Sequence, residues 1–252
     1  MTNFLNAPKT PIVAMVMEET PDKIITKARK AIIDGADCIG IQIECIERTY
    51  RTEEHYQKIF EACAGKPLYL TSYRDRSNEG MTDEQCIDEL LFASTIAKQY
   101  SNVLCDVMGD TYCASQYQIT KDERALQKQK ALVDHIHEMG CEVLISSHFQ
   151  AFLPAEIVID CAKGQAERGA DIIKMISVAE NEVQLVENLR ILRELSNAIR
   201  KPYIFLASGH FCQFIREMSG VLGNCMYLTK TYENVDQLSV SCVRYFRDEL
   251  RR

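Results

Sequence analysis

A lysine inside an apolar segment is the residue of this sequence whose chemistry is easiest to predict. Lys174 lies in Asp-Ile-Ile-Lys-Met-Ile-Ser, residues 171–177, where most neighbours are apolar. Burial disfavours an ammonium ion and favours the neutral amine, which can attack a carbonyl carbon. We therefore predict that Lys174 forms a Schiff base with a carbonyl substrate. The structural alternative is a lysine paired with a buried carboxylate.

A histidine and an arginine extend this chemistry. His148 closes the segment Ile-Ser-Ser-His, and a histidine at such a position can move protons near neutral pH. Arg216 follows the Gly-His-Phe segment at 209–211, and a guanidinium can bind a carboxylate or phosphate through two hydrogen bonds. The structural alternatives are a capping histidine and a surface salt bridge.

Short apolar segments that alternate with amphipathic segments must position these side chains. Several of the apolar segments are nearly continuous, which is typical of parallel strands covered on both faces. Helix-start signals precede the amphipathic segments, such as Thr20-Pro21-Asp22 and the capping-box phrase Thr82 to Gln85. The predicted strands are Pro11–Met17, Asp37–Ile43, Pro67–Tyr73, Val103–Met108, Glu142–Ser147, Asp171–Ile176, Pro202–Ala207 and Cys225–Thr229.

Eight such βα units predict one fold, an α/β (β/α)₈ TIM barrel that forms a single domain over residues 1–252. An open, doubly wound sheet is the alternative, and it usually carries a Gly-rich phosphate loop that this sequence lacks. The active site of a barrel lies at the carboxyl ends of its strands. Lys174, His148 and Arg216 all fall at that end.

Composition excludes several classes of partner. The net charge is −7 with both signs interspersed, so no nucleic-acid partner is expected. No apolar run approaches the length of a membrane helix, so no membrane association is expected either. The 11 cysteines show no Cys-x-x-Cys pair, which predicts reduced thiols, a cytoplasmic protein and no metal site.

The residues around the lysine and the histidine resemble type I 3-dehydroquinate dehydratase. The resemblance covers nearly the whole chain in element order. It rests on Ile-Ser-Ser-His, on Gly-Ala-Asp-Ile-Ile-Lys at 169–174, and on an arginine followed closely by Ser-Gly. A similar lysine occurs in other Schiff-base barrels, such as aldolases, but the histidine on the adjacent strand favours the dehydroquinases.

The resemblance implies a reaction of the shikimate pathway that needs no cofactor and no metal. Lys174 would form an imine with the C3 ketone of 3-dehydroquinate, and His148 would remove the C2 proton and assist loss of the C1 hydroxyl. Arg216 would hold the substrate carboxylate. Further predicted substrate-binding residues are Arg74, Glu79, Asp106, Gln237, Gln42 and Ser208. The resemblance also implies a homodimer and a small keto-acid substrate.

Several positions depart from the family pattern. The Glu-x-Arg of strand two is replaced by Gly40 and Gln42, and a second strand-four acid by Met108. The strand-seven methionines become Leu206 and Ser208, and the Pro-Gly of the last loop is replaced around residues 235–236. Two alternatives therefore stay open. One is a Schiff-base lyase or aldolase for a related keto acid, and the other is an inactive ligand-binding barrel whose lysine is paired with a buried acid.

Overall fold

The computed structural model describes Phe4, residues 9–230 and residues 238–249, and it confirms the predicted (β/α)₈ barrel. Most strand boundaries lie within one or two residues of the predicted ones. The strands are buried on both faces, so each apolar segment ends close to the end of its strand. The strands are β1 Ile12–Val16, β2 Cys38–Gln42, β3 Leu68–Thr71, β4 Val103–Met108, β5 Glu142–His148, β6 Ile172–Val178, β7 Tyr203–Ser208 and β8 Tyr227–Lys230.

A helix follows each strand and covers the outside of the sheet. The predicted capping box is present, because the Thr82 and Gln85 side chains each accept a hydrogen bond from the other residue's backbone N–H. The helices are α1 Pro21–Asp34, α2 Glu53–Ala62, α3 Asp83–Ala97, α4 Glu123–Glu138, α5 Ala155–Glu167, α6 Glu182–Ala198, α7 Cys212–Leu222 and α8 Val240–Glu249. None of the described helices is long and apolar enough to cross a membrane.

All eight strands pair in parallel, in the order β7-β6-β5-β4-β3-β2-β1-β8. The sheet curls, and one backbone hydrogen bond links its two edges, from the N–H of Cys225, just before β8, to the carbonyl of Tyr203 at 2.9 Å. Since parallel strands point the same way, all their carboxyl ends lie at one mouth of the barrel. This is the end at which the predicted site residues lie.

A repeated Gly-Ala-Asp phrase aligns two of the strands with their neighbours. Before β6, Gly169 takes the left-handed conformation, with φ 97°, that ends α5. The Asp171 carboxylate then accepts the backbone N–H of Val143, on β5, at 2.8 Å. Asp37 does the same for Ile12 at 2.9 Å. The phrase therefore fixes the alignment of β6, which carries Lys174, against β5, which carries His148.

Alternation along the strands decides which side chains enter the barrel. The inner cluster contains one residue from most strands, including Val13, Tyr69, Leu104, Leu144, Ile172 and Ile204. Because strand side chains alternate between faces, the residues two positions further on point inward as well. These are Lys174, Asp106 and Ser146, one layer closer to the carboxyl-terminal mouth.

Gly40, one of the two strand-two positions predicted to depart from the pattern that the sequence resembles, lies against the side chain of Met15 inside the barrel. A Cβ atom at position 40 would lie 2.2 Å from the Met15 sulfur, far closer than van der Waals contact. Met15 is buried and belongs to the inner cluster. The volume of a larger residue on β2 is therefore occupied by a methionine of β1, and no carboxylate can stand at this position without moving Met15.

Candidate active site

Lys174 is enclosed by three hydrogen-bond acceptors. Its Nζ donates to the Tyr73 hydroxyl at 2.8 Å, the Tyr69 hydroxyl at 3.0 Å and the Asp106 Oδ2 at 3.1 Å. A lysine ammonium has three donors, so every one of them has a partner here. The side chain is only 6% exposed. The arrangement pairs the buried Lys174 with a buried carboxylate.

Asp106 is the common acceptor of this cluster. Its Oδ2 also accepts from both tyrosine hydroxyls, and its Oδ1 accepts from the Ser146 hydroxyl at 2.5 Å. Burial alone would raise the pKa of Asp106, but the nearby Lys174 charge and these hydroxyl donors hold it below its usual value. Ser146 pairs directly with Lys174 across β5 and β6, so the strand alignment itself brings these groups together.

His148 ends β5, the strand adjacent to that of Lys174. Its ring meets the Tyr73 ring edge-on, with 5.2 Å between the centroids. The Gln118 Oε1 accepts from both the His148 backbone N–H and the ring Nδ1, each at 2.9 Å. Burial first, and then the charge of Lys174, lower the pKa of His148 to about 3. The imidazole is therefore neutral, and able to accept a proton, throughout the neutral pH range.

A cavity of about 410 Å³ opens beside these groups. Tyr73, His148, Gln118 and Gln42 contribute to its wall. Tyr73 is shared between the cavity and the Lys174 cluster, because its hydroxyl contacts Lys174 while the residue faces the cavity. A carbonyl compound in this cavity would therefore reach Lys174 by displacing the Tyr73 hydroxyl.

Glu44 places a buried carboxyl group in the same cavity wall. It follows β2 in a short 3₁₀ turn and is 1% exposed. Its carboxyl oxygens accept from the Thr71 hydroxyl at 2.9 and 3.0 Å and from the Tyr73 backbone N–H at 3.3 Å. Burial raises the pKa of Glu44 to about 7, although these hydrogen bonds oppose the increase. Glu44 can therefore donate or accept a proton near neutral pH.

The raised pKa of Glu44 predicts a pH-dependent stability. The folded protein holds this proton more tightly than the unfolded chain, whose pKa is near 4.5, so the free energy of unfolding falls as pH rises from about 4.5 to about 7. The loss is on the order of 3 kcal/mol across that range. Replacement of Glu44 by glutamine should remove this loss, which urea unfolding at several pH values would measure.

The exposed Glu47 provides the matched control for this measurement. A Glu47→Gln variant removes a carboxylate of the same type three residues along the chain, at an exposed position. Its unfolding free energy should change with pH as the wild type's does. Wild-type and Glu44→Gln proteins with parallel pH dependences would contradict the prediction.

Two of the predicted substrate-binding residues, Gln42 and Arg74, lie at the cavity. The Gln42 side-chain oxygen accepts from the Cys45 thiol at 3.5 Å, a weak contact that a substrate hydroxyl can replace. The Arg74 guanidinium, by contrast, donates to the Asp83 carboxylate and, at 2.8 Å, to the Asp110 carboxylate. It therefore ties α3 to the loop after β4, with its charge already paired.

The other predicted residues lie in different surroundings. Arg216 is on α7 and buried, and its Nε donates to the Ala207 carbonyl at 2.8 Å. The Ser208 hydroxyl donates to the Ser177 carbonyl at 3.2 Å, beside the end of β6. Glu79 is exposed and is not part of the cavity wall. Gln237 lies outside the described residues.

Several polar residues of the site were not among the predicted site residues, including Tyr69, Ser146 and Gln118. Strand alternation was a usable signal for the first two, because Tyr69 and Ser146 share the inward face with Lys174. No local pattern indicates Gln118, which arrives on the long loop between β4 and α4. Among the described residues, no group of three or more His, Cys, Asp or Glu side chains could hold a metal ion.

Several solved structures of similar fold are 3-dehydroquinate dehydratases. The enzyme from Geobacillus kaustophilus HTA426 has a TM-score of 0.79 and 15% identity, over 98% of this chain and 93% of that one. The type I enzyme from Clostridium difficile, with covalently modified comenic acid, has a TM-score of 0.78 and 15% identity, over 98% and 94%. The Enterococcus faecalis enzyme has a TM-score of 0.76 and 16% identity, over 96% and 94%.

These identities are low, so the structural neighbours show the fold alone. No curated protein sequence matches the chain significantly. The family model for type I 3-dehydroquinase matches residues 12–241, which include all eight strands and nearly the whole barrel. This chain therefore belongs to the type I 3-dehydroquinase family.

Proposed function

We propose that this protein is a 3-dehydroquinate dehydratase that acts through an imine on Lys174. Membership of the type I 3-dehydroquinase family supports this activity and its place in the shikimate pathway. The observation that carries the imine mechanism is the pair formed by Lys174 and His148. They lie on adjacent strands, at the carboxyl-terminal mouth of the barrel, and the cavity lies beside them.

Imine formation starts from the ammonium of Lys174. One proton passes to Asp106, whose Oδ2 lies 3.1 Å from Nζ, and the neutral amine attacks the C3 ketone. The proton then returns to the carbinolamine oxygen, which leaves as water. The product is a protonated imine, so a positive charge again lies beside the Asp106 carboxylate.

Proton transfer at C2 is assigned to His148. The protonated imine draws electrons from the C2–H bond, and the neutral imidazole takes the proton. The same imidazolium then protonates the C1 hydroxyl, which leaves as water, and the imidazole is neutral again. Hydrolysis of the imine releases 3-dehydroshikimate and restores the Lys174 ammonium.

Substrate recognition is assigned to polar groups around the cavity. Glu44 and Gln42 bind the hydroxyl groups of the substrate ring. They replace the glutamate of the family pattern, because Gly40 stands at its position and packs against Met15. Arg216 supplies the positive charge for the carboxylate. The resemblance also assigns substrate binding to five further residues, which are Arg74, Asp106, Ser208, Glu79 and Gln237.

The cellular setting is also part of the proposal. None of the 11 cysteines, all of which lie among the described residues, forms a disulfide, which suits a reducing compartment such as the cytoplasm. A homodimer follows from the resemblance alone. We expect a small keto-acid substrate as the main partner, with no role for nucleic acid or membranes, in keeping with the net charge of −7.

One observation favours a second candidate function, an inactive ligand-binding barrel. That alternative requires a lysine paired with a buried acid, and Lys174 and Asp106 form such a pair. A Schiff-base lyase for another keto acid shares the lysine but differs in the ring contacts. Reactivity toward carbonyl compounds therefore separates the inactive barrel from both enzymes.

Borohydride trapping with 3-dehydroquinate tests the proposal. The wild-type protein should gain the mass of one reduced ligand adduct, mapped by peptide mass spectrometry to Lys174, and should generate the enone absorbance of 3-dehydroshikimate. Adducts with other keto acids but none with 3-dehydroquinate would indicate the lyase. A folded protein that forms no adduct with any keto acid would support the inactive barrel.

A further inference from the structure

We propose that Gln118 is the positioning residue of the proposed base, and that it fixes His148 in the tautomer whose free nitrogen can accept the substrate proton. This inference rests on the proposed function for its catalytic meaning, but its structural part stands alone. Gln118 is not on a barrel strand. It belongs to the loop between β4 and α4 and reaches the site from outside the barrel.

The backbone of His148 determines how the Gln118 amide is oriented. A backbone N–H can only donate, so the Gln118 atom 2.9 Å from the His148 nitrogen must be the amide oxygen. The same oxygen lies 2.9 Å from the imidazole Nδ1. Because an amide oxygen only accepts, Nδ1 must carry the proton.

This assignment leaves Nε2 as the unprotonated nitrogen of the neutral ring. Nε2 has no hydrogen-bond partner within the part of the chain that the structure describes, and His148 contributes to the cavity wall. The nitrogen available to a substrate is therefore the one that can take a proton. Without Gln118, the ring could adopt the other tautomer or rotate, and a protonated Nε2 cannot act as a base.

The loop holds Gln118 in a conformation that an L-amino acid rarely adopts. Its φ is 51°, in the left-handed region, and such strain persists where the surroundings enforce it. The Ser147 hydroxyl donates to the Gln118 carbonyl at 2.6 Å, so the residue before His148 binds the same loop residue. Ser115 closes the turn by accepting from the Ile119 N–H at 2.8 Å. Gln118 and the end of β5 are thus held together at three points.

A neutral amide at this place has a different consequence from a carboxylate. A carboxylate beside Nδ1–H would stabilise the imidazolium, whereas an amide fixes the ring without adding charge. The charged groups that face His148 are Lys174 on β6, Asp106 on β4 and Arg216 on α7, and the Tyr73 hydroxyl lies beside them. Lys174 and Arg216 oppose a charge on His148, as burial does, and only Asp106 favours it.

Nitrogen-15 NMR of the imidazole tests the structural part without any substrate. The His148 signal, assigned by its loss in His148→Asn, should show a protonated Nδ1 and an unprotonated Nε2 at neutral pH. A mixed or reversed tautomer in the wild type would overturn the inference, whether or not the protein is a dehydratase. In Gln118→Leu, the His148 ring should be a mixture of the two neutral tautomers.

Kinetics of two Gln118 variants test the catalytic part. Gln118→Leu should lower kcat about tenfold to a hundredfold, with KM little changed. The loss is smaller than the full contribution of a general base, because the imidazole itself remains. Gln118→Glu keeps an acceptor for Nδ1–H, so it should retain most of kcat. Its added charge should also move the acidic limb of the kcat/KM profile upward by about one to three pH units.

Gln116 supplies the matched control, because it is an exposed residue of the same type in the same loop. Gln116→Leu and Gln116→Glu should leave the tautomer, kcat and the pH profile as in the wild type. Equal effects of the Gln116 and Gln118 substitutions would overturn the positioning role, as would an unchanged kcat and tautomer in Gln118→Leu. A wild type with the Nδ1–H tautomer but no dehydration would instead reject the proposed function alone.

Discussion

Replacement of Lys174 by methionine is expected to abolish imine trapping and to destabilise the fold at the same time. Trapping disappears because the buried amine beside the cavity is lost, and kcat should fall on the order of 10⁴-fold or more, the scale for loss of a covalent nucleophile. Stability falls because the Asp106 carboxylate remains buried without its counter-ion. Removal of one partner of a buried ion pair costs about 3–5 kcal/mol.

A double replacement separates these two effects. In Lys174→Met with Asp106→Asn, the buried charge is gone, while the amide can still accept from the two tyrosine hydroxyls. Much of the lost unfolding free energy should return, and trapping should not. Urea unfolding and intact mass after borohydride reduction measure the two quantities on the same samples.

An exposed lysine provides the control for trapping. Lys201 lies just before β7, and Lys201→Met should form the adduct as the wild type does. An adduct of wild-type yield in Lys174→Met would show that another amine carries the reaction. Unchanged stability in that variant would show that the Lys174–Asp106 pair does not contribute to the fold.

Replacement of His148 by asparagine should stop the reaction at a later step. The imine still forms, because Lys174, Asp106 and the two tyrosines remain in place. Removal of the C2 proton loses its base, and general acid–base catalysis is worth about 10²–10⁴-fold in rate. We therefore expect kcat to fall by about that factor while borohydride adducts accumulate at least as well as in the wild type.

Exchange of the C2 proton with deuterated solvent locates the affected step. Wild-type enzyme should exchange or eliminate this proton, whereas His148→Asn should hold the substrate as an imine with the proton retained. His135→Gln is the control, because His135 is an exposed histidine on α4. Full dehydration activity in His148→Asn would contradict the assignment of the base.

The two replacements together distinguish the candidate functions. In a dehydratase, replacement of Lys174 abolishes trapping, whereas replacement of His148 abolishes only proton transfer. An inactive barrel shows no adduct in any variant, although it shares the stability loss on replacement of Lys174. All candidate functions thus predict the same loss of stability, and only the trapping and proton-exchange results discriminate between them.

Local patterns in the sequence were sufficient for the barrel and for the placement of its principal chemical groups. Continuous apolar segments, helix-start signals and the Gly-Ala-Asp phrase are local, and each acts within one βα unit. Lys174 and His148 stand at the ends of such segments, so their position at the mouth of the barrel follows once eight parallel strands are recognised. The inward orientation of Tyr69 follows from the same alternation.

Contacts between distant units were decided only by the tertiary structure. Lys174 and the Tyr69 hydroxyl are 105 residues apart in sequence, and Lys174 and Asp106 are 68 residues apart. Whether a buried lysine meets a carboxylate depends on the alignment of all four strands from β3 to β6, and among these the Gly-Ala-Asp phrase aligns only β6 with β5.

Two further features depend on contacts between units in the same way. Arg74 was predicted to bind substrate, and only the tertiary structure shows that its guanidinium pairs with carboxylates from α3 and the loop after β4. Gln118 escaped prediction because long loops carry no periodic signal. Residue types and local periodicity determined that this protein is a barrel with a lysine and a histidine at its mouth. Packing between units decided which groups surround that lysine, because burial and charge pairing depend on every neighbour at once.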